Sequence, residues 1–346
     1  MNEKVEVFFK ALDGKSFSVS PVALEFSLLG NVVTIRWYGV LIAFGFLLAV
    51  LFGGRIAYKW KMDLDKMVDV LIGGTVGGVV GARLYYVLFN LSEYRGRFWD
   101  VFKIWEGGLA IYGGLIGGLL GAFIVCRIRK LNFFNLMDIA AMSFLIGQGI
   151  GRWGNFTNQE AFGRNTNLPW GMWSQTTANY INSAATQQFF LEHGVKNVHA
   201  GTPQDMAYVH PTFLYESIWC LLSFALLFLI CKRARKFSGQ LMLCYGILYG
   251  AERCFVEGLR LDSLYIGTSA LRVSQLLSGL LAVACLAALV FLLLRYKKNP
   301  KPIEGVDYFT GKAEQPVVAA PISDAHEVEP EVGDASLYDD DEEGNA

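Results

Sequence analysis

The sequence predicts an all-α polytopic membrane protein of about seven transmembrane helices, with its N-terminus outside and its C-terminus in the cytoplasm. Three observations predict it. The chain of 346 residues is 53% hydrophobic and only 18% charged, where a soluble globule carries roughly 45–50% and 25%. The apolar residues fall in seven blocks, each near the roughly 20 residues that a helix needs to cross a bilayer. The basic residues gather in alternate connections between those blocks, as the preference of Lys and Arg for cytoplasmic loops requires.

Residues 1–34 open MNEKVEVFFKALDGK. Charges interrupt any apolar core and no small-residue cleavage pattern follows, so this stretch reads as an extracytoplasmic segment rather than a secretory signal. The blocks then run over about 35–55, 69–89, 109–126, 133–151, 211–231, 239–258 and 270–294. Arg55, Lys59, Lys61 and Lys66 follow the first block, and Arg127, Arg129 and Lys130 the third. Lys232, Arg233, Arg235 and Lys236 follow the fifth, and Arg295, Lys297, Lys298 and Lys301 the last. Residues 90–106 run against the pattern, an outer loop that carries Arg95, Arg97 and Lys103. Residues 156–209 are too polar to span and form a small external cap within the membrane domain of 35–296. The remainder, 297–346, ends SLYDDDEEGNA; so acidic a segment cannot bury enough surface to fold and reads as a disordered cytoplasmic tail. The six cysteines lie in or beside apolar blocks, where they act as small buried hydrophobes rather than a disulfide framework.

Glycines four apart, Gly73, Gly77, Gly81 and Gly113, Gly117, Gly121, put a bare stripe on one face of the second and third spans. The spacing suits two backbones in close contact; an internal repeat of the kind transporters carry would also produce it.

Ionisable groups inside a bilayer are costly, so each asks for a reason. With the topology above, Tyr38, Arg83, Tyr112, Arg152, His210, Arg253, Glu257 and Arg260 all fall in the outer half of their spans, and Asp138 alone lies deeper toward the inner side. That convergence marks a site at the outer leaflet. In YGILYGAERCFVEGLR, Tyr249, Arg253, Glu257 and Arg260 share one helical face, and Arg253 can pair with Glu257. The surplus positive charge suits an anion such as a lipid phosphate, which the planar guanidinium fork matches. In GQGIGRWGNFTNQEAFGR, residues 147–164, Arg152 sits among glycines that let the backbone bend and expose amides at the membrane edge, with Asn155, Asn158 and Glu160 beside it. In HPTFLYE, residues 210–216, His210 precedes a proline in the first turn of a helix, and Glu216 falls inside the span. A structural ion pair in the first motif and a snorkelling Arg152 in the second are the plainer alternatives.

These motifs, with WYG at 37–39 and EGGLAIYGG at 106–114, resemble the prolipoprotein diacylglyceryl transferase family over roughly residues 20–296. The resemblance implies transfer of the diacylglyceryl group of phosphatidylglycerol to the lipobox cysteine of a prolipoprotein signal peptide. A thioether forms, glycerol 1-phosphate leaves, and neither metal nor organic cofactor takes part. It implies a multi-pass bacterial inner membrane protein with its active site facing the outer leaflet. Arg152 then holds the phosphatidylglycerol head group beside Asn155, Glu160 and Gly163, and Arg253 is the second arginine of the site. Catalysis falls to Arg152, Arg253, Tyr112 and His210, and lipid binding further to Glu257, Arg260, Tyr38 and Arg83. The chain departs from the family at two positions: Tyr112 stands where many members have His, and Gln159 where they have Gly. Histidine is the better proton acceptor at neutral pH. The rival reading is a transporter for an anionic lipid or solute, which would gather polar groups at the midplane and show a duplicated half.

Overall fold

Where a backbone has no water to bond, it must satisfy its own amides and carbonyls, and helix is the simplest solution. The computed structural model, which describes residues 4–28, 30–96, 98–195, 198–202, 205–261 and 272–299, is accordingly mostly helical. In chain order its α-helices are α1 (Trp37–Lys59), α2 (Leu64–Phe89), α3 (Ile111–Arg129), α4 (Phe133–Asn158), α5 (Gln175–Asn182), α6 (Ala184–Glu192), α7 (Thr212–Arg233), α8 (Gln240–Leu259) and α9 (Val273–Lys298). Among the described residues six of these, α1, α2, α3, α4, α7 and α9, are long and apolar enough to cross a membrane. The chain is therefore a polytopic membrane protein. The seventh block is the 20-residue helix α8, whose C-terminal half carries Glu252, Arg253 and Glu257 and so keeps it out of that six. Residues from 300 onward, which carry the acidic tail, lie outside the described residues.

The all-α expectation needs one correction, because the segment before α1 and the segment between α4 and α7 contain strands. β1 (Val5–Phe9) pairs antiparallel with β2 (Ser16–Val19) on one side. On its other side it pairs with β5 (Met172–Ser174) from the middle of the chain. β3 (Val22–Leu28) and β4 (Asn31–Arg36) form a separate hairpin that leads straight into α1. The turn after β1 contains Asp13 and Gly14, both with positive φ, a pair that favours hairpin turns. β1 is thus built onto residues 156–209: Val7, Phe162, Met172, Ile181, Phe190 and Val209 form one buried cluster.

Two packing arrangements place the helices. α4 is the centre. Ile56, Met142, Leu145, Leu227 and Leu241 bury a common core between α1, α4, α7 and α8. By contrast α2 and α3 lie along one another on their glycine stripes: a Cβ added at Gly77 or Gly81 would stand 2.5 Å from the carbonyl oxygen of Gly117 or Gly113. No larger residue permits that approach. This pair meets the body through Val70, Cys126, Leu136 and Met137.

Asp138, the polar residue at the other depth, is explained by the fold. It is fully buried and forms an ion pair with Arg235 at 3.0 Å. It also accepts the backbone amides of Gly239 and Met242 at 2.9 and 3.0 Å. The Arg235 guanidinium lies 4.0 Å over the Trp60 ring. A buried carboxylate so fully satisfied pins the α7–α8 connection to α4 and α1.

Candidate active site

Three of the arginines singled out in the sequence assemble around a residue that was given no role. Glu216, in the second turn of α7, has no solvent exposure. Arg152 of α4 reaches its Oε2 at 2.7 Å, Arg253 of α8 its Oε1 at 3.2 Å, and Arg260 just beyond α8 stands 3.9 Å from Oε1. Arg253 also holds Glu257 at 2.8 Å. Three guanidiniums from two helices and a helix end thus converge on one buried carboxylate. An isolated carboxylate could not stay charged there, so the arginines and Glu216 stabilise one another. A second carboxyl, Glu252 of α8, is buried; its Oε1 has no hydrogen-bond partner, and it interacts electrostatically with Glu216, Arg152 and Arg253.

The local chain explains how these groups are presented. α4 stays helical through Gly147, Gly149, Gly151 and Gly154 to Asn158, so the expected bend among those glycines does not occur. The turn comes after them, at Gln159 and Ala161, both with positive φ. The left-handed region favours glycine, which would be the physical reason for the Gly that the resemblance places at position 159. Gln159 instead bonds its side-chain amide to the Phe156 carbonyl at 2.6 Å. Asn155 donates to Glu160 at 3.0 Å, which closes the turn beside Arg152. Gly163 packs where the chain crosses itself: its amide donates to the His210 carbonyl, it bridges to Arg260, and a Cβ would stand 2.8 Å from that of His210. Gly163 therefore positions Arg260 and His210 through backbone contacts.

His210 lies at the edge of this crossing. Trp170 Nε1 donates to the Tyr215 hydroxyl at 2.8 Å, and that hydroxyl lies 2.9 Å from His210 Nδ1. The direction of that second bond follows the tautomer of the neutral His210 ring, since the hydroxyl can donate as well as accept. Burial pushes the His210 imidazole below its usual pKa, in keeping with that neutral form.

Tyr38 packs its ring against Gly154. With Arg152 and Asn155 it forms the polar end of a groove of about 430 Å³ between α1 and α4, whose deeper wall is apolar at Ile42, Phe46 and Phe144. Tyr112 stands outside the ion-pair cluster, half exposed in the first turn of α3. Arg83 has a different task from the one expected of it. Its guanidinium donates to the carbonyls of Asp100, Val101, Gly107 and Gly108 at 2.6–3.1 Å. It lies 5.4 Å from the centre of the Tyr94 ring. Arg83 thereby folds the loop between α2 and α3 and is not part of the cluster.

Glu216 and Glu252 are the two acidic groups that the motif reading left without a role. The available signal was their position alone: each is an ionisable residue inside an apolar segment.

Helices long and apolar enough to cross a membrane, with arginines paired to a buried carboxylate at one end, define a polytopic membrane protein with a charged cluster at one end of its bundle. The family model for prolipoprotein diacylglyceryl transferase matches residues 23–291. A phosphatidylglycerol–prolipoprotein diacylglyceryl transferase of Thermotoga maritima is 42% identical over 269 residues, covering 77% of this chain and 83% of the relative. Proteins of the same name from Listeria innocua and Finegoldia magna are each 40% identical, covering 82% and 80% of this chain and 92% and 96% of theirs. The chain belongs to the prolipoprotein diacylglyceryl transferase family.

Proposed function

We propose that this enzyme transfers the diacylglyceryl group of phosphatidylglycerol to the lipobox cysteine thiol of a prolipoprotein, releasing glycerol 1-phosphate. The single observation that carries the site assignment is the convergence of Arg152, Arg253 and Arg260 on buried Glu216. In this reading the N-terminus is extracytoplasmic, α8 is the seventh span, the cap faces outward, and the site opens to the outer leaflet of the bacterial inner membrane.

The reaction needs an anion held while one bond replaces another. The lipid phosphate sits against Arg152 at the mouth of the α1–α4 groove, with Tyr38 and Asn155 beside it and one acyl chain running down the apolar wall. Arg253 and Arg260, oriented by Glu216 and Glu257, face the same phosphate. The thiol of the incoming cysteine loses its proton and the thiolate attacks the terminal glycerol carbon of the diacylglyceryl group. The C–S bond forms as the C–O bond to phosphate breaks, and the electron pair leaves on the phosphate of glycerol 1-phosphate. Guanidiniums placed where that charge develops lower the barrier most in a water-poor site. They also favour the thiolate, whose ordinary pKa near 8.5 leaves it scarce at neutral pH. Neutral His210 is the candidate acceptor for the thiol proton, and Tyr112 donates to the phosphate from α3. Gly163 and Glu160 shape the turn that holds Arg152.

The deciding experiment incubates the purified protein with labelled phosphatidylglycerol and a lipobox peptide. Label on the cysteine of the peptide, dependent on Arg152, supports the reading. Uptake of the lipid label without transfer would favour the transporter instead.

A further inference from the structure

At the helix ends opposite the arginine cluster, α3, α4, α8, α9 and the α7–α8 connection leave a trough of about 760 Å³. Its walls are apolar, formed by Phe133, Phe134 and Met137 on one side and Leu243 and Leu292 on the other, with Arg295 and Tyr296 at the rim. The trough follows from how the helices pair. α3 lies along α2, while α9 lies along α8, tied to it by Gln275 Nε2 donating to the Cys254 carbonyl at 2.9 Å. Ser278 is the one buried residue among those described in α9. Between these two pairs, at this end, side chains do not close the gap.

The trough also has a defined depth. α3 ends on Arg127 and Arg129, and α9 on Arg295, Lys297 and Lys298. Such basic helix ends sit at the headgroup level of a membrane. The apolar walls lie within two or three turns of that level, where acyl chains are. Arg295 is exposed at the rim, and among the described residues it makes no ion pair with a carboxylate. Basic pockets between helices on this side of a membrane favour anionic head groups.

We propose that this trough binds one anionic phospholipid of the leaflet opposite the arginine cluster. An acyl chain lies between Phe134 and Leu292, and the phosphate is held at Arg295 and Tyr296. The lipid joins α9, the least buried long helix, to α4, and so steadies the α8–α9 pair that carries Arg253. The inference rests on the helices crossing a membrane and does not depend on the transfer reaction.

The test uses the full-length protein in nanodiscs. Phosphatidylglycerol and phosphatidylethanolamine, each with a photoactivatable group at the end of an acyl chain, are compared as labels. Peptides spanning residues 133–137 and 288–296 should be labelled by phosphatidylglycerol well above phosphatidylethanolamine. Arg295→Glu should lower the phosphatidylglycerol labelling of those peptides about fivefold or more, and Leu243→Trp, which fills the trough, should lower labelling by both lipids. Arg152→Ala should leave it unchanged, which separates this lipid from one at the outer cluster. Equal labelling by the two lipids would overturn the anionic preference, and so would an unaltered Arg295→Glu pattern. Loss of labelling in Arg152→Ala, or cross-links from the chain's own C-terminal segment in place of lipid, would overturn the site itself. Should Leu243→Trp fail to fold, the wild-type comparison of the two lipids still decides.

Discussion

Glu216 takes ion pairs from two helices at 2.7 and 3.2 Å and has no solvent exposure. Removing one partner of a buried pair leaves a charge uncompensated, at a cost of about 3–5 kcal/mol. Glu216→Gln is therefore expected to lower the melting temperature in detergent and to abolish transfer, and an unchanged Tm with normal transfer would remove Glu216 from the site. Arg152 is tested by its shape. A guanidinium binds phosphate as a planar fork and an ammonium as a point charge, and losing a preorganised donor at developing charge costs about 10²–10³ in rate. Arg152→Ala and Arg152→Lys should both fold and transfer at least about a hundredfold more slowly; near-normal transfer by the Lys variant would reduce Arg152 to a snorkelling anchor. His210 carries a pH dependence. Burial lowers its pKa in the folded chain, so the unfolded chain binds the proton more readily. The stability it contributes is full above the unfolded value of about 6.5 and is lost as pH falls through the lower folded value. Hydrogen-exchange protection of residues 163–172, taken relative to the intrinsic rate at each pH, should fall as pH drops below about 6, and His210→Gln should flatten that response. The arginines and His210 were legible in the sequence because each sits in a distinctive motif. Glu216 was not, because a carboxylate becomes a hub only when helices far apart in sequence bring cations to it.

Helices α2 and α3 show how far a spacing pattern can be read. Glycines at every fourth position predict a face for close approach, and here the two stripes face one another. Overpacking such a seam costs about 1–3 kcal/mol or more. Gly81→Leu should therefore separate α2 from α3, seen as lost cross-linking between cysteines placed on the two helices. The loop that joins them could not be read in the same way. Its three basic residues broke the charge rule, and Arg83 resembled a ligand-binding group. Its four bonds to carbonyl oxygens arise only when residues 100–108 fold back over the end of α2. Arg83→Ala is expected to open residues 90–110 to protease while the α1–α4 groove keeps its lipid; intact resistance to protease would refute the clamp. The strands of the cap were missed for a related reason. Val5–Phe9 finds its second partner at Met172–Ser174, a pairing that no local pattern announces.

For the molecule as a whole, the charge asymmetry predicts a direction of insertion and the helices a number of crossings, and both can be tested. Cysteines placed at Asn179 in the cap and Ala234 in the α7–α8 connection should react with an impermeant thiol reagent from opposite sides of the membrane. Reaction of both from the same side would overturn the seven-span topology. The acidic segment is separable on composition alone, so truncation after Pro302 should leave transfer nearly intact, and a large loss in a folded truncation would assign the tail a part in catalysis.

Composition and periodicity by themselves determined that this chain is a helical membrane protein, where its long helices run, and which ionisable residues lie inside apolar segments. Lipid as solvent imposes the first two, since each span must satisfy its own backbone bonds, and the cost of buried charge marks the third. Tertiary structure alone decided that Glu216 gathers the arginines, that Arg83 serves a loop, and that Gly163 positions Arg260. It likewise decided that the N-terminal segment is woven into a sheeted cap. Each depends on contacts between residues tens of positions apart, whose energies come from burial and geometry that no local pattern encodes.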